Sequence, residues 1–316
     1  MEIRHRTIAA NGIRLHLAEA GEGPTVLLCH GFPEAWHSWR HQMAALAAAG
    51  YRAIAPDMRG YGGTEAPAAV EDYTLLHLVG DMVGLLGALE IPRAVIVGHD
   101  WGAPVAWNAA LLRPDLFHAV AALSVPYAPR GPVSPFEALR RAGRRNFYQL
   151  WFQPAGQAEA QLEADPALTL RRTFYTLSGD PPEAQRWNPD LPEDGFLASL
   201  HEPPAPPAWM PPAELAQYVE TYRHTGFRGG LNWYRNIERN WALMAPFLGA
   251  KVTVPALFLA GSRDPVLGWA GKAVEALPRT APALRDRVIV EGAGHWVQQE
   301  APEAVNAALL GFLHGL

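Results

Sequence analysis

Cysteine is almost missing: Cys29 is the only one in 316 residues. No intrachain disulfide can form, and a metal centre built on thiolates lacks its ligands. Cys29 follows the apolar run Val26-Leu27-Leu28 and is expected to be a small core residue. Basic charge is also in short supply. Against 31 Asp and Glu stand 26 Lys and Arg, a formal net charge of -5, which leaves no electrostatic footprint for nucleic acid or an anionic membrane surface. No uninterrupted apolar stretch reaches about 18 residues, so no spanning helix is expected. The opening residues, MEIRHRTIAANGIRLH, carry no apolar core of a secretory signal, and the cytoplasm is the expected location. With 49% hydrophobic and 18% charged residues, the composition is that of a globular protein. The length admits one large core with an insertion or two compact units.

The first part alternates strand and helix signals. Strand candidates at 3–8 and 13–18 flank Asn11-Gly12, a hairpin turn pair. The run at 25–29 is apolar throughout, as in a strand covered on both faces. A helix over 38–49 ends at Gly50. Then come a strand at 51–55, helical spacing over 72–89, a strand at 93–97, a helix over 103–112 with Pro104 in its first turn, and a strand at 119–124. This alternation predicts an α/β fold, a mostly parallel sheet with helices on both faces. From 126 to 236 the texture changes. Pro, Trp, Tyr and Arg accumulate, helical stretches occur at 136–152 and 214–224, and HEPPAPPAWMPP can be neither helix interior nor central strand. We expect a helical cap over 126–236, inserted between core segments 1–125 and 237–316. Strand patterns resume at 256–260 and 287–291, and a last helix covers 302–314.

The most specific segment is Val95-Ile96-Val97-Gly98-His99-Asp100-Trp101-Gly102. A buried strand runs through a small-x-Asp-x-small turn into a helix. Hydrolases with a serine nucleophile use such a turn to project the hydroxyl into the site. Here the central residue is Asp, whose carboxylate can attack an electrophilic carbon directly. An Asp capping a helix N-terminus would give the same local pattern. It would not account for two further residues. Asp264 follows the strand at 256–260, and His295 follows the strand at 287–291. Nucleophile, acid and histidine thus fall at three strand ends, on the sheet edge where open α/β folds build their sites.

With these segments in view, the chain resembles the α/β-hydrolase-fold epoxide hydrolases over nearly its whole length, and most of all the catalytic domain of the soluble ones. The resemblance rests on His30-Gly31-Phe32-Pro33-Glu34, on Gly98-His99-Asp100-Trp101-Gly102, on Phe147-Tyr148-Gln149-Leu150-Trp151-Phe152-Gln153, and on Gly226-Phe227-Arg228-Gly229-Gly230-Leu231-Asn232-Trp233-Tyr234-Arg235. The first of these is shared by several hydrolase subfamilies, whereas the two cap segments are much more specific. No counterpart of the separate phosphatase domain of some mammalian members is expected. The resemblance implies that Tyr148 and Tyr234 hold the epoxide oxygen, and that the Phe32-Pro33 peptide is cis. The chemistry agrees: opening an uncharged ether releases an alkoxide, and a phenol donates to it without carrying charge into an apolar pocket.

In the second half of the cycle His295, oriented by Asp264, would activate a water that hydrolyses the ester on Asp100. The backbone N–H groups of Phe32 and Trp101 are the expected oxyanion donors. His30 and Glu34 are expected to be structural supports, and Asp57 and Arg59 to form a local turn network. The substrate pocket is expected from Phe32, Trp36, Trp101, Trp151 and Trp233, with Phe147, Phe152 and Trp209 as further aromatics. No cofactor and no metal are expected. The partners are a small apolar epoxide and water, and a homodimer is allowed. Two other readings compete. A haloalkane dehalogenase uses the same Asp nucleophile with a neighbouring Trp such as Trp101 to hold the halide, but Phe32 stands where its Asn would be. A non-catalytic binding homologue would need none of the five side chains. Release of diol from a styrene-oxide-like substrate separates these readings.

Overall fold

The computed structural model describes residues 2–316. Eight strands form one sheet in the order β1-β2-β4-β3-β5-β6-β7-β8. They are β1 Arg4–Ala10, β2 Ile13–Ala20, β3 Thr25–Cys29, β4 Arg52–Pro56, β5 Ala94–His99, β6 Phe117–Leu123, β7 Ala256–Gly261 and β8 Leu284–Val290. β2 alone runs against the others, pairing antiparallel with β1 and β4, and every other pairing is parallel. The β1–β2 turn is made by Asn11 (φ 49°) and Gly12 (φ 79°), the left-handed pair that a tight hairpin requires.

Helices α1 Arg40–Ala48, α2 Leu75–Ala88, α3 Gly102–Leu112, α11 Val266–Thr280 and α13 Pro302–His314 accompany the sheet. Side chains alternate across a strand, and the core divides accordingly. Leu28, Val97, Ala121 and Leu259 join Met43 and Leu46 of α1 and Leu309 and Phe312 of α13. Their neighbours Leu27, Ile96, Val120 and Phe258 join α2, α3 and Leu277 of α11. Cys29 is buried and free, and burial pushes its thiol well up.

Between β6 and β7 the chain adds no strand to the sheet. It forms α4 Pro135–Arg141, α5 Tyr148–Trp151, α6 Gln157–Leu162, α7 Pro166–Leu177, α8 Pro212–Thr225, α9 Arg228–Arg235 and α10 Ile237–Leu243. The helix expected over 136–152 is two pieces. Gly143 adopts φ 74° just past α4, and Arg144 turns to pair with Asp190 at 2.8 Å. The short helix α12 Val297–Glu300 precedes α13. Among the described residues no helix is long and apolar enough to cross a membrane.

Candidate active site

Asp100 occupies the turn between β5 and α3 with φ 50°, a left-handed conformation that costs a non-glycine residue energy unless its surroundings hold it. They do so by close approach. A Cβ on Gly98 would stand 2.0 Å from the Gly102 carbonyl oxygen, and one on Gly102 would stand 2.0 Å from that of Cys29. The glycines therefore let β5, α3 and the end of β3 meet at the turn, which lifts the Asp100 side chain off the sheet edge.

The two carboxylate oxygens of Asp100 have different surroundings. Oδ1 accepts the Phe32 N–H at 2.7 Å. Oδ2 lies 3.5 Å from His295 Nε2. The Trp101 N–H makes no hydrogen bond to Asp100. Phe32-Pro33 is a cis peptide.

His295 sits in the loop after β8, and Asp264 in the loop after β7. Nδ1 of His295 is 3.1 Å from Asp264 Oδ1 and 3.1 Å from the Ser124 hydroxyl. Burial opposes protonation of the imidazole, yet the carboxylates of Asp264 and Asp100 hold it well above its usual range. Burial likewise opposes ionisation of Asp264, and the facing His295 holds it below the usual carboxylate range. The His295 backbone is tied on both sides: its N–H donates to Leu177 O at 2.9 Å, and its carbonyl accepts from His99 Nε2 at 2.7 Å. Glu300 holds the same loop. Its carboxylate accepts the N–H groups of Gly294, Trp296 and Gly179 at 2.8, 2.9 and 2.7 Å. Burial nonetheless pushes its carboxyl up to about 7.

Tyr148 opens α5 and Tyr234 lies in α9, with ring centroids 5.8 Å apart. Tyr234 also packs edge-on against Phe32 and Trp101, at 5.6 and 5.0 Å. Burial, reinforced by Asp100 for Tyr148 and by Tyr148 and Asp100 for Tyr234, raises both phenols well above their ordinary value. They are neutral hydrogen-bond donors at any physiological pH. Both line one cavity with Asp100, His295 and Phe32. It is small, ≈ 30 Å³, room for water rather than for an aryl ligand.

The remaining expected residues divide. Trp101 packs against Tyr234 but lines a separate groove with Tyr127 and Trp241. Trp36 faces His5 and lines an outer groove with His37 and Asp57. Trp233 is fully buried and donates to Arg59 O at 3.0 Å. Trp151 packs on Phe152. Trp36, Trp101, Trp151 and Trp233 are thus outside the wall of the Asp100 cavity, while Phe32 and Phe152 belong to it. Phe147 packs on Tyr148, and the Trp209 indole donates to Asp180. In their place Thr173, Leu177, Trp187, Phe196, Val266 and Trp269 line the cavity. None stands in a motif that marks it, and two of them lie on α7 and two on α11, helices without a strong sequence signature.

His30 and Glu34 touch neither Oδ1 nor Oδ2 of Asp100. His30 Nε2 accepts the Met58 N–H at 3.0 Å, so its Nδ1 carries the proton donated to Gly31 O. Glu34 accepts from Gly31 N, His99 Nδ1 and Gln298 Nε2 at 2.9, 2.7 and 2.8 Å. Burial opposes its charge, but His99 and these donors bring its carboxyl to about 2. Asp57 does organise its own turn, accepting from Trp36 N and Gly63 N. Arg59 does not: it reaches α2 and forms a buried pair with Asp81, its Nε 2.8 Å from Oδ2, because a buried guanidinium needs a carboxylate partner. Sequence alone does not single out Ser124 and His99 as site residues. His99 lies within the Asp100 motif, and Ser124 ends a strand with φ 71°.

A sheet of this topology with an Asp–His–Asp constellation at its edge defines an α/β hydrolase. The α/β-hydrolase fold family model matches residues 24–302. Epoxide hydrolase A of Mycobacterium tuberculosis is 50% identical over 98% of this chain and 97% of its own. An epoxide hydrolase of Caballeronia sordidicola is 45% identical over 98% of this chain and 94% of its own. The crystal structure of epoxide hydrolase A from Mycobacterium thermoresistibile superposes with a TM-score of 0.94 at 50% identity, over 100% of this chain and 99% of that one. The chain belongs to the α/β-hydrolase family and, within it, to the epoxide hydrolases.

Proposed function

We propose that this protein converts apolar epoxides and water to vicinal diols through an ester on Asp100. The reading is carried by the divided Asp100 carboxylate, one oxygen on the Phe32 amide and the other beside His295, in a cavity shared with two neutral phenols. In the first step Oδ2 attacks a ring carbon and the carbon–oxygen bond breaks. Tyr148 and Tyr234 donate to the departing oxygen, where negative charge develops. The segment 126–236 acts as a cap, since it contributes both tyrosines and closes the cavity with Thr173, Leu177, Trp187 and Phe196.

Esterification removes the charge of Asp100. His295 then faces one carboxylate instead of two, so its affinity for a proton falls; the proton it releases goes to the alkoxide, and the neutral imidazole becomes a base. It takes a proton from water, the hydroxide attacks Asp100 Cγ, and Oδ1 becomes the oxyanion held by the Phe32 N–H. The Trp101 N–H joins as that oxygen gains charge. The ester oxygen leaves with the diol and takes that proton back from His295, and the acid proton left on Asp100 then passes to His295, restoring the starting pair. The dehalogenase alternative is less favoured, because two neutral phenols line the Asp100 cavity while Trp101 lines a separate groove.

A single turnover of styrene oxide in heavy-oxygen water tests the reading. The label should enter the Asp100 carboxyl while the first diol stays unlabelled. Labelled diol with unlabelled Asp100 would overturn the covalent route.

A further inference from the structure

Helix α7 carries three threonines on its inner side, and they behave differently. Thr169 donates its hydroxyl to Leu162 O at 2.9 Å. Thr176 accepts the His201 N–H at 2.7 Å. Thr173 is 2% exposed, and its Oγ1 has no hydrogen-bond partner among the described residues. A helical threonine ordinarily satisfies its hydroxyl on the carbonyl one turn back, and a buried hydroxyl left alone costs about 1–3 kcal/mol. Thr173 is also part of the wall of the Asp100 cavity.

We propose that Thr173 is a specificity-determining residue whose hydroxyl binds an ether or hydroxyl oxygen on the substrate, close to the oxirane. The proposal rests on the epoxide reading of the site. Position follows from the helix. Leu177, one turn further along α7, is bonded through its carbonyl to the His295 amide and lines the same cavity. Thr173 precedes Leu177 by about one turn, so both belong to the same face of α7, the one that lines the cavity. A substrate oxygen two bonds from the ring, as in a glycidyl ether or a hydroxymethyl oxirane, is the kind such a hydroxyl would meet. Apart from Thr173, Asp100, His295 and the two tyrosines, the wall is aromatic or aliphatic, with Phe152, Leu177, Trp187, Phe196 and Trp269, so this hydroxyl is the polar group of the wall that the proposed chemistry leaves unused.

The test compares ethyl glycidyl ether with 1,2-epoxyhexane, equal in length and differing by one oxygen for a methylene. Wild type should favour the ether in kcat/KM. Thr173→Val keeps the shape and removes the hydroxyl; it should lower kcat/KM on the ether about fivefold to tenfold and leave the hexane derivative unchanged or faster. Thr173→Ser should retain the ether preference. Equal effects of Thr173→Val on both substrates would overturn the assignment while leaving the epoxide reading intact. Turnover of neither substrate by wild type would overturn both together.

Discussion

The imidazole of His295 stands 3.5 Å from the one Asp100 oxygen that the Phe32 amide does not hold. The proposed base and nucleophile are thus neighbours before any reaction, and the Asp100 carboxylate helps hold the imidazole protonated. A variant that removes the base but not the nucleophile should stall between the two steps. His295→Gln is expected to form the ester at a measurable rate and to hydrolyse it about 10²–10⁴-fold more slowly. Intact-protein mass spectrometry should find the mass of one substrate added to the chain, mapping to the peptide of Asp100. Normal turnover by this variant would remove His295 from the mechanism.

The phenols should act only in the first step. Losing one transition-state donor costs about 3 kcal/mol, roughly a hundredfold. Tyr148→Phe and Tyr234→Phe should each slow esterification by about that factor, and the double variant should be nearly inactive. Hydrolysis of the ester should change little, because on the proposed mechanism its oxyanion is held by the Phe32 amide instead. Stopped-flow tryptophan fluorescence separates the phases. An unchanged first phase in a folded double variant would exclude the two tyrosines as acids.

Glu300 gives the protein an unusual pH response. Its carboxyl is raised from 4.5 to about 7 by burial. A raised folded-state value means that the folded protein holds the proton more tightly, so the contribution is complete below about pH 4.5 and is lost as pH rises through 7. The shift corresponds to about 3 kcal/mol. Wild type should therefore lose stability relative to Glu300→Gln between pH 5 and pH 8, read as urea midpoints. Glu34, lowered to about 2, works in the opposite sense and loses its contribution as pH falls from 4.5 towards 2. A Glu300→Gln difference that is flat from pH 5 to 8 would show that this carboxyl does not titrate there.

Two glycine substitutions should move stability in opposite directions. Gly102→Ala puts a methyl 2.0 Å from Cys29 O, a backbone clash expected to cost about 3 kcal/mol or more. Gly268 lies inside α11, and a methyl added there would meet nothing within 4 Å, so Gly268→Ala should add about 0.5–1 kcal/mol. Thermal midpoints would check both, and a Gly102→Ala protein as stable as wild type would mean that the elbow is not closely packed.

The sheet is legible in the sequence because its central strands are apolar throughout, and the turn at Asp100 because two glycines bracket it. Asp264 and His295 are legible from their places after strands. The cavity wall is not. Trp233 stands next to Tyr234, but adjacent helical positions are rotated by about 100°, so the two rings go to different sides. Trp187 and Trp269 are far apart along the chain, and only tertiary packing brings them together at 6.3 Å. Helix α11 is hidden because Gly268, Gly271 and Pro278 interrupt its pattern, and packing of Val274 and Leu277 on the sheet overrides that weak propensity.

The hydrogen bond from the His295 amide to Leu177 O ties one wall of the cavity to the loop of the proposed base. At ≈ 30 Å³ the cavity takes in an organic substrate only if its wall yields, and a withdrawal of α7 at Leu177 would break that bond. On the proposed mechanism such an opening would weaken the hydrolytic step for as long as it lasts. Changes that loosen α7 to welcome bulkier epoxides should leave ring opening fast and make the second step the slow one.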